Sequence, residues 1–234
     1  MNWEDSKACT PLKRDFLRAW FHQEQRFFLT GGSALGLFYL DHRRSYDLDL
    51  FTNEDVDGKE IQNLVHRVAK SISAEYLAVR TTPDFRRFKL TRNEEREIID
   101  VVVDRTPQLD SKKNSFDHIR VDTLREITAN KLTALLSRTE IKDVVDLYFL
   151  EKAGRDLLAS IPDAQAKDAG WEPAVVAMLL DGLSVQDTPA WMIRELAPTD
   201  LHAFLQKLRL AISELALPPE TRPKAPSSEA GPAA

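Results

Sequence analysis

The sequence predicts an α+β fold, in which a mixed β-sheet flanked by helices is followed by a mainly helical C-terminal half. Residues 27–103 contain short apolar runs that favour strands, separated by turn residues and one amphipathic segment. From residue 121 onward, apolar residues recur at helical spacing. The stretch from residue 218 has five prolines and almost no apolar residues, a composition typical of disorder. We therefore expect three parts: a sheet domain over 1–120, a helical domain over 121–217 that completes its site, and a disordered tail over 218–234.

A helix, a strand and a glycine turn are predicted near the N-terminus. Apolar residues at helical spacing, with a proline suited to the first turn, predict a helix over about 11–25. Residues 27–30 read as a short apolar strand, which Gly31 and Gly32 interrupt. Ser33 then stands where a helix N-cap is expected, before the apolar run ALGLFYL. The order is therefore strand, glycine turn and helix.

The remaining elements follow from periodicity in the same way. Alternating or β-branched runs predict strands, and apolar residues three or four apart predict amphipathic helices. The predicted strands are 46–51, 75–81, 85–91 and 97–103, and the predicted helices are 58–72, 124–137, 142–153, 173–182 and 199–215.

Length and composition limit the class of protein. With 234 residues, 43% of them hydrophobic, the chain can bury one sizeable core. No apolar run approaches the roughly 18–20 residues that span a bilayer, and the start MNWEDSKACT lacks the pattern of a secretory signal. Cys9 is the only cysteine, which excludes an intramolecular disulfide and a cysteine-based zinc site. We expect a cytoplasmic protein with no membrane contact.

The charge distribution leaves two interpretations open. A formal net charge of -5 argues against attraction of nucleic acid to the whole surface. Residues 80–92 nevertheless hold five basic residues against one acid. This strip either faces the phosphates of RNA or is the solvated surface of a hairpin. The basic residues of the strip are Arg80, Arg86, Arg87, Lys89 and Arg92.

Acidic residues on two predicted strands form a candidate metal site. Asp47 and Asp49 share one strand face, because successive side chains alternate. Two adjacent carboxylates repel unless a cation lies between them, and Mg²⁺ prefers oxygen ligands. A site for two ions needs a third carboxylate, which Asp100 supplies from an otherwise apolar strand. Asp104 is the alternative, although its place before Pro107 is more typical of a loop.

The glycine turn is a candidate phosphate site. Gly31 and Gly32 let the backbone approach a ligand closely, and the N-terminus of the following helix favours an anion. Ser33 adds a hydroxyl. A nucleoside triphosphate (NTP) held there, with its oxygens also on the metal ions of Asp47 and Asp49, would be placed for attack.

A second group of charged residues lies in NKLTALLSRTEIKDVVDLYFL, residues 130–150. Lys131 and Arg138 lie two turns apart on one predicted helix, and Asp143 and Asp146 share a face of the next. This spacing has a structural alternative, in which Lys142 pairs with Asp146 and Arg138 is a solvated surface cation. Spacing alone favours that alternative.

Taken together, GGSALGLFYLDHRRSYDLDLF and KLTALLSRTEIKDVVDLYFL resemble the AbiEii-type nucleotidyltransferase toxins, which include MenT-like enzymes and belong to the DNA polymerase β-like superfamily. The resemblance covers about residues 27–150. It implies a nucleotidyltransferase-type sheet, whose catalytic core is residues 1–120. It also implies a toxin that uses an NTP and two Mg²⁺ ions and has a cognate antitoxin protein.

The resemblance assigns roles to individual residues. Asp47 and Asp49 would bind metal, while Asp100 is added by its strand context. Lys131 matches the lysine that contacts the nucleotide, and Asp143 matches the acid of the last motif. The residues expected at the nucleotide are Gly31, Gly32, Ser33, Lys131 and Asp146, and those expected in catalysis are Asp47, Asp49, Asp100, Lys131 and Asp143. Which of Asp143 and Asp146 is essential stays open.

The acceptor of the transferred nucleotide is implied only by resemblance. For MenT-like relatives the acceptor is the 3′ end of transfer RNA (tRNA), and the basic strip suits an RNA backbone. Two alternatives stay open: transfer of NMP to a protein or small molecule, and a non-catalytic module that binds nucleotide and holds a partner. Residues 154–234 carry no recognisable motif, and the preferred NTP is not determined.

Overall fold

The computed structural model describes residues 2–185, 187 and 189–218. The tail predicted over 218–234 lies outside the described residues, apart from Pro218. No helix in the described part of the chain is long and apolar enough to cross a membrane.

The described residues form one seven-stranded mixed sheet, in the order β3-β4-β5-β2-β1-β7-β6. Strand β2 pairs in parallel with β5, and β1 with β7, while the other neighbours are antiparallel. The predicted fold class is confirmed. The strands are β1 (Phe28–Thr30), β2 (Asp47–Thr52), β3 (Glu75–Thr81), β4 (Phe85–Arg92), β5 (Glu95–Val103), β6 (Asn114–Phe116) and β7 (Ile119–Val121).

Helices lie before, between and after the strands. A short 3₁₀ helix, Trp3–Asp5, precedes them. Helices α1 and α3 contact each other, and each contacts the sheet, while α4 to α8 form the C-terminal half. The helices are α1 (Pro11–Gln23), α2 (Gly31–Ala34), α3 (Gly58–Ser71), α4 (Leu124–Ser137), α5 (Ile141–Lys152), α6 (Ile161–Lys167), α7 (Pro173–Asp181) and α8 (Pro198–Leu215).

The helix after β1 starts earlier than the sequence suggests. It begins at Gly31 with Thr30 as its N-cap, and continues beyond α2 as a π-helix over Leu35–Leu40. The prediction that Ser33 is the N-cap is therefore wrong. Gly31 takes φ +67°, which lets the chain turn from strand to helix three residues sooner.

Three short elements were not predicted, namely β6, β7 and α6. Strand β7 pairs with β1, so the sheet continues past the predicted boundary at 120/121. One hydrophobic core includes Leu29 of β1, Leu132 of α4 and Phe204 of α8, each almost fully buried. The sheet and the helical half therefore share one hydrophobic core. The division into a catalytic domain and a helical domain that completes its site stays a prediction.

Candidate active site

Polar side chains form a row across four neighbouring strands. Asp49 of β2 lies opposite Thr30 of β1 on one side and opposite Asp100 of β5 on the other. Asp100 in turn lies opposite Arg87 of β4. Directly opposite residues share a face of the sheet. Asp47, two residues before Asp49, lies on this same face, which we call the active face.

Alternation within β2 holds the acids in place. Leu48 and Leu50 are fully buried on the opposite face, where they pack in the core. Their burial fixes which side of β2 faces the site, because a shift of one residue would exchange the two faces.

The three acids converge as the sequence predicts. Asp47, Asp49 and Asp100 each offer one carboxylate oxygen, and these oxygens lie within 4.8 Å of one another. Burial, followed by the charges of Asp47 and Asp100, raises the pKa of Asp49 to about 7. A divalent cation offsets this repulsion, and an all-oxygen donor set suits Mg²⁺. The residues therefore fit the metal that the resemblance implies.

Neighbouring side chains orient these carboxylates. Ser45 Oγ donates a hydrogen bond to Asp47 Oδ1 at 2.9 Å, and Ser33 Oγ donates to the backbone oxygen of Asp47. Arg87 donates two hydrogen bonds to Asp100, from Nε to Oδ1 at 2.8 Å and from Nη2 to Oδ2 at 2.6 Å. The buried carboxylate of Asp100 therefore has a cationic partner, as burial of a charge requires. The Ser33 hydroxyl proton is used within the protein, so only its oxygen can contact a ligand.

The two glycines lie where a side chain would collide with the site. A Cβ on Gly31 would lie 2.3 Å from Asp49 Oδ2, and one on Gly32 would lie 2.3 Å from Arg43 Nη2. Both distances are shorter than van der Waals contact. The absence of a side chain at these positions lets the turn reach the acids.

Helices α4 and α5 contribute a buried cluster of charges. Lys131 Nζ lies 2.8 Å from Asp143 Oδ1 and 2.6 Å from Asp146 Oδ2. Arg138 donates two hydrogen bonds to Asp143, at 2.8 and 2.9 Å. Lys142 instead pairs with Glu140 at 2.8 Å. The structural alternative, a Lys142–Asp146 pair with Arg138 solvated, is therefore wrong.

Asp146 connects this cluster to the loop before β2. Its carboxylate accepts hydrogen bonds from Arg43 Nε at 2.5 Å and Nη2 at 2.7 Å, and lies 2.7 Å from His42 Nε2. Burial opposes ionisation, but the charges of Lys131 and Arg43 hold the pKa of Asp146 well below its usual range. Asp146 is fully enclosed by these partners. This corrects the expectation that Asp146 contacts the nucleotide, because its carboxylate positions Arg43 and Lys131 instead.

The basic strip expected over residues 80–92 is not one surface. Arg86 is buried beside Gly58 and donates to the backbone oxygen of Pro83. Arg92 pairs with Asp15 of α1 at 2.7 Å. Both lie on the face of β4 opposite to Arg87, since they are odd numbers of residues away from it.

The other basic residues of the strip share the active face. Arg80 lies opposite Arg87, and Lys89 lies two residues beyond Arg87 on β4. The Arg80 and Arg87 guanidinium carbons each lie 5.7 Å from the centre of the Phe85 ring. A half-buried aromatic ring with two cations beside it therefore lies next to the acids.

Two clefts meet at Asp49. The acid cleft has a volume of about 510 Å³ and contains all three carboxylates, together with Arg43, Arg87 and Lys142. The helix cleft has a volume of about 390 Å³ and lies beside α4 and the end of α6. Both clefts are lined by Gly31, Asp49, Phe51, Lys131 and Arg138.

Several residues of the site were not predicted from the sequence. Arg43 and His42 belong to the DHRRS stretch, but their partner Asp146 is more than a hundred residues away in the chain. Arg87 was assigned to RNA, although strand alternation and a cross-strand acid could have indicated its pairing with Asp100. Asp104 lies after β5, where its side chain accepts from Thr106 N–H, as expected of a loop acid.

Comparisons with known proteins agree with this geometry. Residues 15–222 match the family described as "Nucleotidyl transferase AbiEii toxin, Type IV TA system". No significant match is found among curated protein sequences.

Solved structures share the fold at low sequence identity. An inferred nucleotidyltransferase from Helicobacter pylori is 22% identical, with a TM-score of 0.56 over 87% of this chain and 94% of that chain. JHP933 from Helicobacter pylori is 20% identical, with a TM-score of 0.57 over 88% and 90% of the two chains. MenT4, a nucleotidyltransferase toxin from Mycobacterium tuberculosis, is 18% identical, with a TM-score of 0.54 over 89% and 84%.

At these identities the structural likeness concerns the fold alone. The family match has a wider meaning, because it spans most of the chain and includes both the acidic strands and the helical half. The chain therefore belongs to the AbiEii nucleotidyl transferase toxin family of Type IV toxin–antitoxin systems.

Proposed function

We propose that this protein is a Mg²⁺-dependent toxin that transfers NMP from an NTP to the 3′ end of tRNA. The observation that carries the proposal is the convergence of Asp47, Asp49 and Asp100, with oxygens within 4.8 Å of one another, beside a glycine turn. Two Mg²⁺ ions held by these carboxylates would stabilise the charge that develops on the transferred phosphate and lower the pKa of the attacking hydroxyl.

The residues of the chain have separate roles in this transfer. Gly31, Gly32 and Ser33 form the turn that faces the triphosphate. The acceptor hydroxyl oxygen bonds to the α-phosphorus, and the bond between that phosphorus and the oxygen that bridges it to the β-phosphorus breaks. The hydroxyl proton passes to Asp100, and pyrophosphate leaves with the electron pair of the broken bond.

Cations around the acids suit a polyanionic substrate. The acid cleft is lined by the side chains of Arg43, Arg87, Lys131, Arg138 and Lys142. Of these, Arg138 is partly exposed, with 45% of its side chain accessible, so it can bind phosphate without leaving Asp143. Lys131 and Asp143 form an ion pair, and Asp143 also accepts two hydrogen bonds from Arg138. Through these contacts Lys131 and Asp143 orient Arg138, which binds the triphosphate.

The active face of β3 and β4 supports an RNA acceptor. Arg80 and Arg87 lie beside the Phe85 ring, Lys89 lies two residues beyond Arg87 on the same face of β4, and Arg87 and Phe85 line the acid cleft. Cations with an aromatic ring among them suit a single strand, whose phosphates bind the cations and whose bases stack on the ring. A 3′ end lying on this surface would reach Asp100 directly.

Labelling of RNA tests the proposed activity. We expect purified protein with Mg²⁺ and α-labelled NTPs to label the 3′ end of tRNA in total RNA. Asp49→Asn removes one of three mutually repelling carboxylates and should therefore keep the fold, while transfer falls by on the order of a thousandfold. Asp55→Asn is the control, because the Asp55 side chain is 84% exposed and lies outside both clefts.

The outcomes separate the alternatives. Label in protein or in a small molecule, with none in RNA, would replace tRNA as the acceptor. Toxicity that survives Asp49→Asn would indicate a module that acts by binding a partner. The family implies a cognate antitoxin, and co-expression of its gene should restore growth.

A further inference from the structure

The two clefts differ in which acids they contain. The acid cleft contains Asp47, Asp49 and Asp100, whereas the helix cleft contains only Asp49 of these three. In a transfer that uses two ions, the third carboxylate lies at the attacking hydroxyl. The acceptor therefore approaches through the acid cleft. The nucleoside half of the NTP must then occupy the other side of Asp49, which is the helix cleft.

The helix cleft has the chemistry of a nucleoside site. Its volume of about 390 Å³ lies within the range of small-molecule sites in proteins. Lys131 and Arg138 line the cleft together with Asp49, so a triphosphate reaching the acids passes two cations. The ring of Phe51 gives the cleft an aromatic wall on which a base can stack.

Asp168 is the residue in this cleft best placed to recognise a base. It follows the last residue of α6, and Gly170 N–H donates to its Oδ1 at 2.9 Å. Within the described part of the chain, no donor lies within hydrogen-bond distance of Oδ2, so this oxygen can accept from a ligand. The neighbouring Lys167 does not neutralise it, because Lys167 pairs with Glu126 at 2.5 Å.

The segment that carries Asp168 is fixed against α4. The indole nitrogen of buried Trp171 donates to the backbone oxygen of Leu132 at 2.8 Å, and Trp171 N–H donates to the backbone oxygen of Asp168 at 3.0 Å. A fixed acceptor discriminates between ligands better than a mobile one, because binding does not have to order it. Asp168 is therefore a preorganised acceptor.

We propose that Asp168 selects NTPs whose base carries an amino group at the position of cytosine N4 or adenine N6. An ionised carboxylate only accepts hydrogen bonds. It can pair with N4 of cytosine or N6 of adenine, but it repels O4 of uracil or O6 of hypoxanthine. This inference rests on the proposed function, since it assumes an NTP with its phosphates at Asp49.

Matched pairs of nucleotides test the inference without the reaction. The α,β-methylene analogues of CTP and UTP, and of ATP and ITP, differ within each pair at the amino position and cannot transfer NMP. We expect calorimetry with Mg²⁺ to give roughly ten- to hundredfold tighter binding for the amino member of each pair, the range for a hydrogen bond to a charged group.

Substitution of Asp168 sharpens the test. Asp168→Asn keeps an oxygen for Gly170 N–H but places an N–H₂ donor in the cleft, so the preference should disappear or reverse. Asp163→Asn is the control, because Asp163 lies on the same helix but pairs with Arg125 outside the cleft.

The failure of this inference is distinct from that of the proposed function. Equal binding of both members of each pair, or a preference that survives Asp168→Asn, overturns the role of Asp168 while RNA labelling persists. If no analogue binds and no RNA is labelled, the proposed function fails and the inference fails with it.

Discussion

Gly31 joins a backbone constraint to a steric one. Its φ of +67° is in the left-handed region, and a Cβ there would lie 2.3 Å from Asp49 Oδ2. Gly154, after α5, has φ +90° but nothing within 4 Å of its Cβ position. Substitution of Gly154 therefore tests backbone strain alone, whereas substitution of Gly31 tests backbone strain together with a collision at Asp49.

We expect Gly31→Ala and Gly154→Ala to destabilise the protein by similar amounts, about 1–2 kcal/mol each, from backbone strain. Only Gly31→Ala should abolish transfer, because it displaces the carboxylate of Asp49. Urea unfolding and RNA labelling of both variants measure the two effects. Equal activity of the two variants would show that close approach at Gly31 is not needed.

Cys9 gives a second prediction for a single residue. Burial raises the pKa of its thiol to about 11, and the charges of Lys13 and Arg14 offset only part of this. The thiolate is the reactive form, so at pH 8 alkylation by iodoacetamide should be on the order of a hundredfold slower than for an exposed cysteine near pKa 8.5. The rate should still rise through pH 10. A plateau near pH 9 would contradict the raised pKa.

The charged cluster between α4, α5 and the loop before β2 stabilises the fold as well as the site. Asp146 is fully buried among Arg43, His42 and Lys131, whereas the partner of Asp143 on its outer side, Arg138, is 45% exposed. Water can therefore solvate Arg138 when Asp143 is neutralised. Neutralising Asp146 leaves Arg43 buried without its anion and leaves Lys131 with Asp143 alone.

We expect Asp146→Asn to lower the free energy of unfolding by about 3–5 kcal/mol, the cost of breaking a buried ion pair. Asp143→Asn should cost less. Glu151→Gln, which breaks an exposed pair of α5 with Lys207, should cost about 0–1 kcal/mol. Urea unfolding of the three variants gives the order, and an Asp146→Asn variant as stable as Glu151→Gln would argue against the stabilising role of the cluster.

Periodicity explains both the successes and the errors at the scale of elements. Alternation along β2 placed Asp47 and Asp49 on one face, and the same rule places Arg86 away from Arg87. The strip was instead treated as a run of charge in the sequence. Strands β6 and β7 have three residues each, too few to show a period, and no apolar run marks them, so neither was predicted.

Pairings between distant segments could not be predicted from the sequence. The register that sets Asp49 opposite Asp100 is a property of the folded sheet. The same holds for the contact between Arg43 and Asp146, which depends on α5 packing against the loop before β2. Resemblance assigned roles to Asp47, Asp49 and Lys131, and strand context added Asp100. Only the fold shows that Asp146 is buried against Arg43 and Lys131.

The molecule as a whole is acidic, with a formal net charge of -5, so the proposed RNA acceptor would have to be guided to one side of it. Arg80, Arg87 and Lys89 of β3 and β4 place positive charge on the active face, close to the acids. Helix α3 carries exposed cations such as Lys70 on another part of the surface, which provides a matched comparison. Local rather than net charge should therefore decide where RNA binds.

Reversal of charge on the active face should weaken RNA binding without affecting the nucleotide. The double variant Arg80→Glu, Lys89→Glu removes two cations of the active face, and neither residue lines the two clefts. The logarithm of the binding constant falls with the logarithm of the salt concentration, and each lost phosphate contact reduces the magnitude of this slope by about 0.7 for a single strand. We therefore expect RNA labelling to fall at least about tenfold at moderate salt, and the salt dependence to become shallower by about 1.4. Binding of NTP analogues should be unchanged. The double variant Lys59→Glu, Lys70→Glu makes the same change in charge at exposed positions of α3 and should leave labelling intact. If this control weakens labelling as much as the variant on the active face does, RNA is attracted by overall charge, and the active face of β3 and β4 is not its binding surface.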